Sequence, residues 1–356
     1  MYNQTLYYIK SAVYNKKNYS LKYRELRTGK LNSTKKRIIK DNTIKVNGKK
    51  IKPGSHMIDS AIKLACANYQ TSLTNLENGR IKHFRIRYWR RNKDQLCFEV
   101  DTQSFSKDYD TFFRKVLGNE IKYESDYKIK LSEIKSDSRL VYYRNQNKYV
   151  LFVSCSKETE ETKDTGYVGL DPGIREFMTC YSKEKIFTVN YDRYKIQRQL
   201  NLIDKVNNNK TIPSNKKRSH ERRRRAIIQN YRDNLHWKAI KVILKGNKYV
   251  FIGNMSAKRI ISKSNRVLNK MTKRIVSCLG FYIFRQRLEY KCKVYQKCCR
   301  IVNEMYTSKT CSKCTQMYEI KGNKVYNCKN KKCTVNIDRD VNSAINILMR
   351  GIYEMK

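Results

Sequence analysis

Four cysteines near the C-terminus constrain this chain more tightly than any other feature. Cys311 and Cys314 are separated by two residues, Cys328 and Cys333 by four, and thirteen residues lie between the pairs. Paired thiolates brought together across a short turn suit a tetrahedral four-thiolate Zn²⁺ site, and four protein ligands leave no open position for water. The spacing therefore predicts one structural zinc, and any chemistry belongs elsewhere in the chain. The twelve cysteines are not spread as a secreted disulfide framework would be, and MYNQTLYYIK does not read as a signal peptide. A reducing intracellular compartment fits. Cys298 and Cys299 are adjacent and cannot easily serve one tetrahedral ion together. They read as buried strand residues, as do Cys66, Cys97, Cys155, Cys180 and Cys278.

Charge sets the second constraint. Lys and Arg number 78 against 31 Asp and Glu, leaving +47 on 356 residues. Such a charge repels itself in any compact fold unless a polyanion neutralises it. The basic residues run the whole length, so nearly every surface is positive and nucleic acid is the expected partner. The 27 Tyr could add base stacking, although tyrosines also fill cores. No apolar run approaches the roughly 20 residues that a membrane-spanning helix needs. Length suggests two or three domains.

Along the chain, the stretch to about residue 160 mixes short strand signals with one helix, whose Ile58, Ile62, Ala65 and Tyr69 fall at helical spacing. RLVYYRNQNKYVLFVSC reads as a β-hairpin around an Asn-Gln-Asn turn. The polar KETEETKDTG, residues 157–166, reads as a linker. Three successive strands follow over 167–190, then two long helical patterns over 191–246. YVFIGNM reads as a buried strand, followed by another helix and by strands around 292–303. Lys216, Lys217, Arg218 and Arg222, Arg223, Arg224, Arg225 form the densest basic run, which on a helix makes a candidate phosphate-tracking surface.

Three carboxylates stand out in a chain where acids are scarce. Asp171 ends the apolar run YVGL, where a carboxylate is costly unless it is paired or holds a metal. Asp338 and Asp340 lead into a C-terminal helix, and an N-cap role suits one of them. Glu304 stands seven residues before Cys311. Strand–Asp, two more strands, helices, another strand and a final helix opened by Asp is the order of an RNase H-like α/β nuclease. In such enzymes acids from distant segments converge on two divalent ions about 4 Å apart. Hard Mg²⁺ or Mn²⁺ suits oxygen ligands of this kind.

VGLDPGIREFMTCYS, NLHWKAIKVIL, MYTSKTCSKC and DRDVNSAINIL together resemble the RuvC-type nuclease of the TnpB and Fanzor proteins, over roughly residues 165–351. The resemblance implies an RNase H-like nuclease domain over 161–300 and 334–356 with a zinc ribbon inserted at 301–333. Residues 1–160 would then form a wedge β-barrel with a helical recognition insert. It also implies an RNA-guided DNA endonuclease encoded by a mobile element, cutting double-stranded target DNA beside a short flanking motif. The partners would be a guide RNA from the element and the target DNA. The cofactors would be two Mg²⁺ (or Mn²⁺) ions and one structural Zn²⁺. The expected state is a monomer, located in the nucleus of a eukaryotic host or at the replication site of a giant virus.

Asp171 matches the first catalytic position of this family and Asp340 the third, which makes Asp338 a neighbour. Two departures are mild: Thr315 where the family often has Gly, and Ser343 where it has Ala. The third is serious, because the second acid would fall where this chain has Gly253 and Asn254. Fanzor proteins also lack that acid and carry an alternative Glu further along. Glu304 fits that position, which favours the Fanzor branch. A catalytically dead guide-binding relative and a transposase with an RNase H-like core remain the alternatives.

Overall fold

A computed structural model describes the chain except residues 47–48, 91–94, 126–128, 145, 156–157, 263–267, 320–322 and 356. Asn145 of the expected hairpin turn and Lys157 of the expected linker lie outside the described residues. The chain divides into two compact units, Met1–Ser156 and Lys157–Lys356.

The first unit begins with α1 (Tyr2–Tyr14), α2 (Tyr23–Thr28) and α3 (Asn32–Asp41), followed by the short hairpin of β1 (Ile44–Val46) and β2 (Lys49–Ile51). The long α4 (Ser55–Glu77) comes next, then β3 (Gln95–Val100), α5 (Arg114–Leu117), β4 (Ser138–Tyr143) and β5 (Lys148–Phe152). Leu6 and Ile9 of α1 pack on Ala65 and Tyr69 of α4, and Tyr2 stacks on Trp89 with ring centroids 4.6 Å apart. Strands β3, β4 and β5 form one antiparallel sheet, whose β4–β5 ladder is the expected hairpin.

Two expectations need correction here. The unit is far more helical than one helix among strands, and among the described residues its larger sheet is an open three-stranded one, not a wedge β-barrel. Three strands of five or six residues are too few to close on themselves. In YNQTLYYIKSAVY the aromatic and β-branched residues suggest strand, yet Tyr2, Leu6, Ile9 and Ala12 are buried on one helical stripe.

The second unit opens with β6 (Gly166–Pro172), β7 (Met178–Ser182) and β8 (Ile186–Val189), paired antiparallel in sequence. Next come α6 (Arg193–Asn208), α7 (Ser214–Leu244), β9 (Asn247–Gly253), α8 (Ala257–Ile260), α9 (Lys270–Leu279), α10 (Phe281–Val294) and β10 (Cys298–Val302). The chain ends with β11 (Val325–Asn327), β12 (Asn336–Asp338) and α11 (Arg339–Tyr353). One sheet runs β10-β9-β6-β7-β8, with β9 parallel to β6 and β10 parallel to β9. This is an α/β unit with the element order expected of an RNase H-like core.

Both faces of the sheet are covered, which explains the near-continuous apolar runs of β6 and β9. On one face Val168, Leu170, Val250 and Ile252 meet Ile196 and Leu200 of α6, Ile240 and Ile243 of α7, and Phe284 and Leu288 of α10. On the other, Phe251 and Val302 meet Ile347 and Leu348 of α11. The helix lies close because Gly169 has no side chain, and a Cβ there would fall 2.3 Å from the Ala344 carbonyl oxygen.

Segment limits also differ from expectation. Ile301 and Val302 belong to β10 of the main sheet, so a ribbon beginning at 301 starts too early. The β11–β12 hairpin pairs Val325 with Asp338, so it runs past the expected limit at 333 into the residue that caps α11. The expected strands around 292–303 reduce to β10, since Cys292 lies on α10. Cys180 is buried in β7 as expected. Cys66 and Cys278 lie on helices instead, Cys97, Cys298 and Cys299 are half-buried, and Cys155 is exposed. A thiol's sequence neighbours do not report whether a strand end is covered.

Candidate active site

Strand alternation decides which side chains meet α11. Val168 and Leu170 of β6 face the large helical core, so Gly169 and Asp171 face α11. By the same period Phe251 and Gly253 of β9 face α11, and Val302 of β10 does so at the register partner of Gly253. Glu304 follows two residues beyond Val302. Asp171 and Glu304 thus leave the carboxyl ends of parallel strands on one side of the sheet, where open α/β sheets place their ligand sites. Asp340 enters from above, in the first turn of α11.

The Glu304 side chain reaches back over Gly253. A Cβ built at Gly253 would lie 2.7 Å from Glu304 Oε2, 3.2 Å from Pro172 Cδ and 3.3 Å from Ile347 Cδ1. The Glu304 carboxylate therefore occupies the space that a side chain from β9 would take. Its backbone is held there: Glu304 N donates to Asn254 Oδ1 at 3.3 Å, and Asn254 N donates to the Val302 carbonyl at 3.0 Å. The Asn254 side chain is turned toward that backbone contact.

Electrostatics tie the three acids together. The carboxyl of Asp171 is pushed well above the ordinary carboxylate range, by burial first and then by the negative charges of Asp340 and Glu304. A hydrogen bond from Ser343 and the charge of Arg339 oppose that rise. Arg339 also donates from Nε and Nη2 to Asp340 Oδ1, at 3.2 and 3.0 Å. Asp338 accepts from the backbone N–H groups of Asp340 and Val341, so it is the N-cap of α11. Three converging carboxylates, one of them destabilised by the other two, form a donor set suited to hard divalent cations. Glu289, fifteen residues before Glu304, is half-buried on α10 and contributes to the potential at Cys299.

The cysteines form a second, separate centre. Cys311 Sγ lies 3.7 Å from Cys333 Sγ and Cys314 Sγ lies 3.5 Å from Cys328 Sγ, with all four sulfurs within 4.8 Å of one another. A tetrahedron with Zn–S of about 2.3 Å has edges of about 3.8 Å, so the cage fits zinc. The Cys314 thiol is lowered to about 7, first by the backbone N–H of Gln316 and then by the neighbouring thiols. Among the described residues no other group of three or more His, Cys, Asp or Glu side chains is gathered this closely. The carboxylates are more open.

The basic run lies on α7, where the helical pattern places it, but its members have different duties. Lys216, Arg218, Arg223 and Arg225 are exposed, and Arg225 pairs with Glu221 at 2.7 Å. Lys217 Nζ donates to the Asn207 carbonyl, and Arg224 donates to Gln199 Oε1 and to His220. Lys217 and Arg224 therefore hold α6 against α7, and Arg222 is half-buried.

The fold and the acid cluster describe an α/β unit with three carboxylates gathered where α11 meets its main sheet. Residues 281–347 match the domain family described as "Cas12f1-like, TNB domain". The TnpB-like protein L79 of Acanthamoeba polyphaga mimivirus is 33% identical over 329 residues, a match covering 88% of this chain and 60% of that protein. A Streptomyces pristinaespiralis protein provisionally named an RNA-guided DNA endonuclease is 26% identical over 193 residues, covering 53% of this chain and 46% of its own. A cryo-EM structure of a Cas12f1–sgRNA–target DNA complex aligns over 98% of this chain and 90% of that one, at 17% identity and a TM-score of 0.38. Over most of its length the chain is similar to TnpB-like proteins of a giant virus. It spans about 60% of the length of the mimivirus TnpB-like relatives it matches.

Proposed function

We propose that this protein is an RNA-guided DNA endonuclease of a mobile element, with Asp171, Glu304 and Asp340 as the ligands of two Mg²⁺ or Mn²⁺ ions. The observation that carries the reading is the Glu304 carboxylate filling the space above Gly253, beside Asp171. It supports a relocated second acid and weighs against a dead relative. Bound there, divalent cations supply a water nucleophile and stabilise the leaving oxygen of a phosphodiester. The chain's own task is to hold three carboxylates ionised and close, against their repulsion. Gly253 leaves room for one of them, and Arg339 offsets part of the charge on Asp340.

The four cysteines hold a structural Zn²⁺ that fixes the segment between Glu304 and Asp340. A guide RNA and double-stranded target DNA provide the polyanion that a +47 chain requires, with the guide read by base pairing and the protein reading a short flanking motif. The protein acts as a monomer in the nucleus of a eukaryotic host or at a giant-virus replication site. The test is to express it with its native flanking locus, sequence the RNA that co-purifies, and offer DNA matched to that RNA. Metal-dependent cutting that is lost in Asp171→Ala while RNA binding persists is expected. Absence of any co-purifying RNA would favour the transposase reading, and failure to cut matched DNA in Mg²⁺ or Mn²⁺ would favour the dead relative.

A further inference from the structure

Ser343 looks like a neutral exchange for Ala in a helix that packs on the sheet, yet it is polar and almost wholly buried. Helical spacing places it one turn after Asp340 on the same face. Its hydroxyl is near enough to Asp171 to favour the ionised carboxylate, and it lies 3.0 Å from Thr307 Oγ1, itself buried. Thr307 in turn holds Glu304, donating from its backbone N to the Glu304 carbonyl at 3.2 Å and from its hydroxyl at 2.9 Å. A continuous chain of contacts thus runs from Asp171 through Ser343 and Thr307 to Glu304. The two hydroxyls have two protons to share among three contacts. With Asp171 ionised, the Ser343 proton is free to turn toward it when Thr307 donates to Ser343, while the Glu304 carbonyl keeps the Thr307 N–H.

The segment carrying Thr307 has no freedom to drift. Asn346 Nδ2 donates to the carbonyls of Thr307 and Thr310, at 2.8 and 2.7 Å. Asn342 Nδ2 donates to the Thr310 carbonyl at 2.7 Å, and its Oδ1 accepts from Ser312 N at 3.0 Å. Both asparagines stand on α11 beside Ser343, and the segment they grip runs directly into Cys311. We infer that Thr307 and Ser343 are positioning residues, a hydroxyl pair that sets Glu304 relative to Asp171 for metal binding. The inference rests on the proposal that those two acids are metal ligands.

The full-length protein, purified with its RNA, is titrated with Mn²⁺ and followed by electron paramagnetic resonance. Zinc content and thermal melting are measured alongside. Thr307→Val keeps the shape and removes the hydroxyl, Thr307→Ser keeps the hydroxyl, and Ser343→Ala removes its partner. Groups that orient metal ligands typically contribute about 10- to 100-fold in affinity. The expected result is Mn²⁺ affinity about tenfold weaker in Thr307→Val and Ser343→Ala, with near wild-type affinity in Thr307→Ser. The double variant Thr307→Val/Ser343→Ala should be no weaker than either single change, because the two groups act as one unit. Zinc content should stay at the wild-type level throughout. Wild-type Mn²⁺ affinity in both single variants, or fully additive losses in the double variant, would overturn the inference. Asp171→Ala separates the two levels: if it binds Mn²⁺ normally the metal site itself is wrong. If it loses binding while the hydroxyl variants do not, only the positioning role fails.

Discussion

Two residues show how a departure from pattern is resolved by space. Gly253 stands where an acid is missing, and the absence of a Cβ there admits a carboxylate from β10's extension. Gly253→Ala would bring a methyl to 2.7 Å from Glu304 Oε2, closer than real contacts allow, so the carboxylate must move. We expect target cleavage to slow by tenfold or more while guide-RNA binding is unchanged, measured by single-turnover cleavage and filter binding; equal rates would mean that Glu304 is not held by this contact. Thr315 presents the opposite case. It has a φ of +61°, a left-handed conformation that a β-branched residue rarely adopts, directly after the first cysteine pair. Thr315→Gly should relieve about 1 kcal/mol of backbone strain. The expected outcome is a small rise in melting temperature of the zinc-loaded protein with unchanged zinc content, and a fall in melting temperature would contradict it.

At the scale of elements, α7 combines a basic surface and a core anchor. His236 is fully buried on it, with Nε2 at 2.8 Å from the Leu279 carbonyl and Nδ1 at 3.2 Å from Arg287 Nη1. Burial, with the Arg287 charge adding to it, depresses the imidazole to about 4. The unfolded chain binds a proton near 6.5 that the native state refuses until about 4. This contribution, about 3 kcal/mol, is therefore complete above pH 6.5 and is lost as the pH falls toward 4. His236→Gln cannot titrate, so denaturant melts should show the wild type losing ground to it across that window, and a constant difference would refute the assignment. On the outer surface of α7, replacing Lys216, Arg218 and Arg223 by Gln should weaken RNA binding and flatten its salt dependence. Arg224→Gln should instead lower the melting temperature, because that side chain ties α6 to α7. The distinction was invisible in the run of basic residues, where all seven look alike. Helices and strands of the second unit were legible because their apolar periods are strong. The N-terminal helix was obscured by aromatic residues, and the Thr307–Ser343 contact depends on how α11 sits on the sheet, which no local pattern encodes.

Across the whole molecule, one α/β sheet, one helix and one cysteine cage act on the same small region. Asp171 could be picked out in sequence because it ends an apolar run, whereas Asp340 was told from Asp338 only by the resemblance to the TnpB and Fanzor proteins. Glu304 could be picked out only because the resemblance implies an acid where this chain has Gly253 and an alternative Glu further along. Removing the metal from the cysteine cage should therefore do more than unfold a loop. Because Asn342 and Asn346 bind the carbonyls beside Cys311, Cys328→Ser should both release zinc and lower Mn²⁺ affinity at the carboxylates, read by elemental analysis and by Mn²⁺ titration. Retained zinc in that variant would remove Cys328 from the cage. The central claim, that Glu304 supplies the acid which β9 lacks, is tested most directly by moving the carboxylate back. In Glu304→Ala the volume over Gly253 is vacated, so Gly253→Glu can enter it; in the wild type it would meet Glu304. Metal-dependent cleavage of guide-matched DNA should be lost in Glu304→Ala and restored at least in part in Gly253→Glu/Glu304→Ala. Cleavage at the wild-type rate by Glu304→Ala alone would contradict the account.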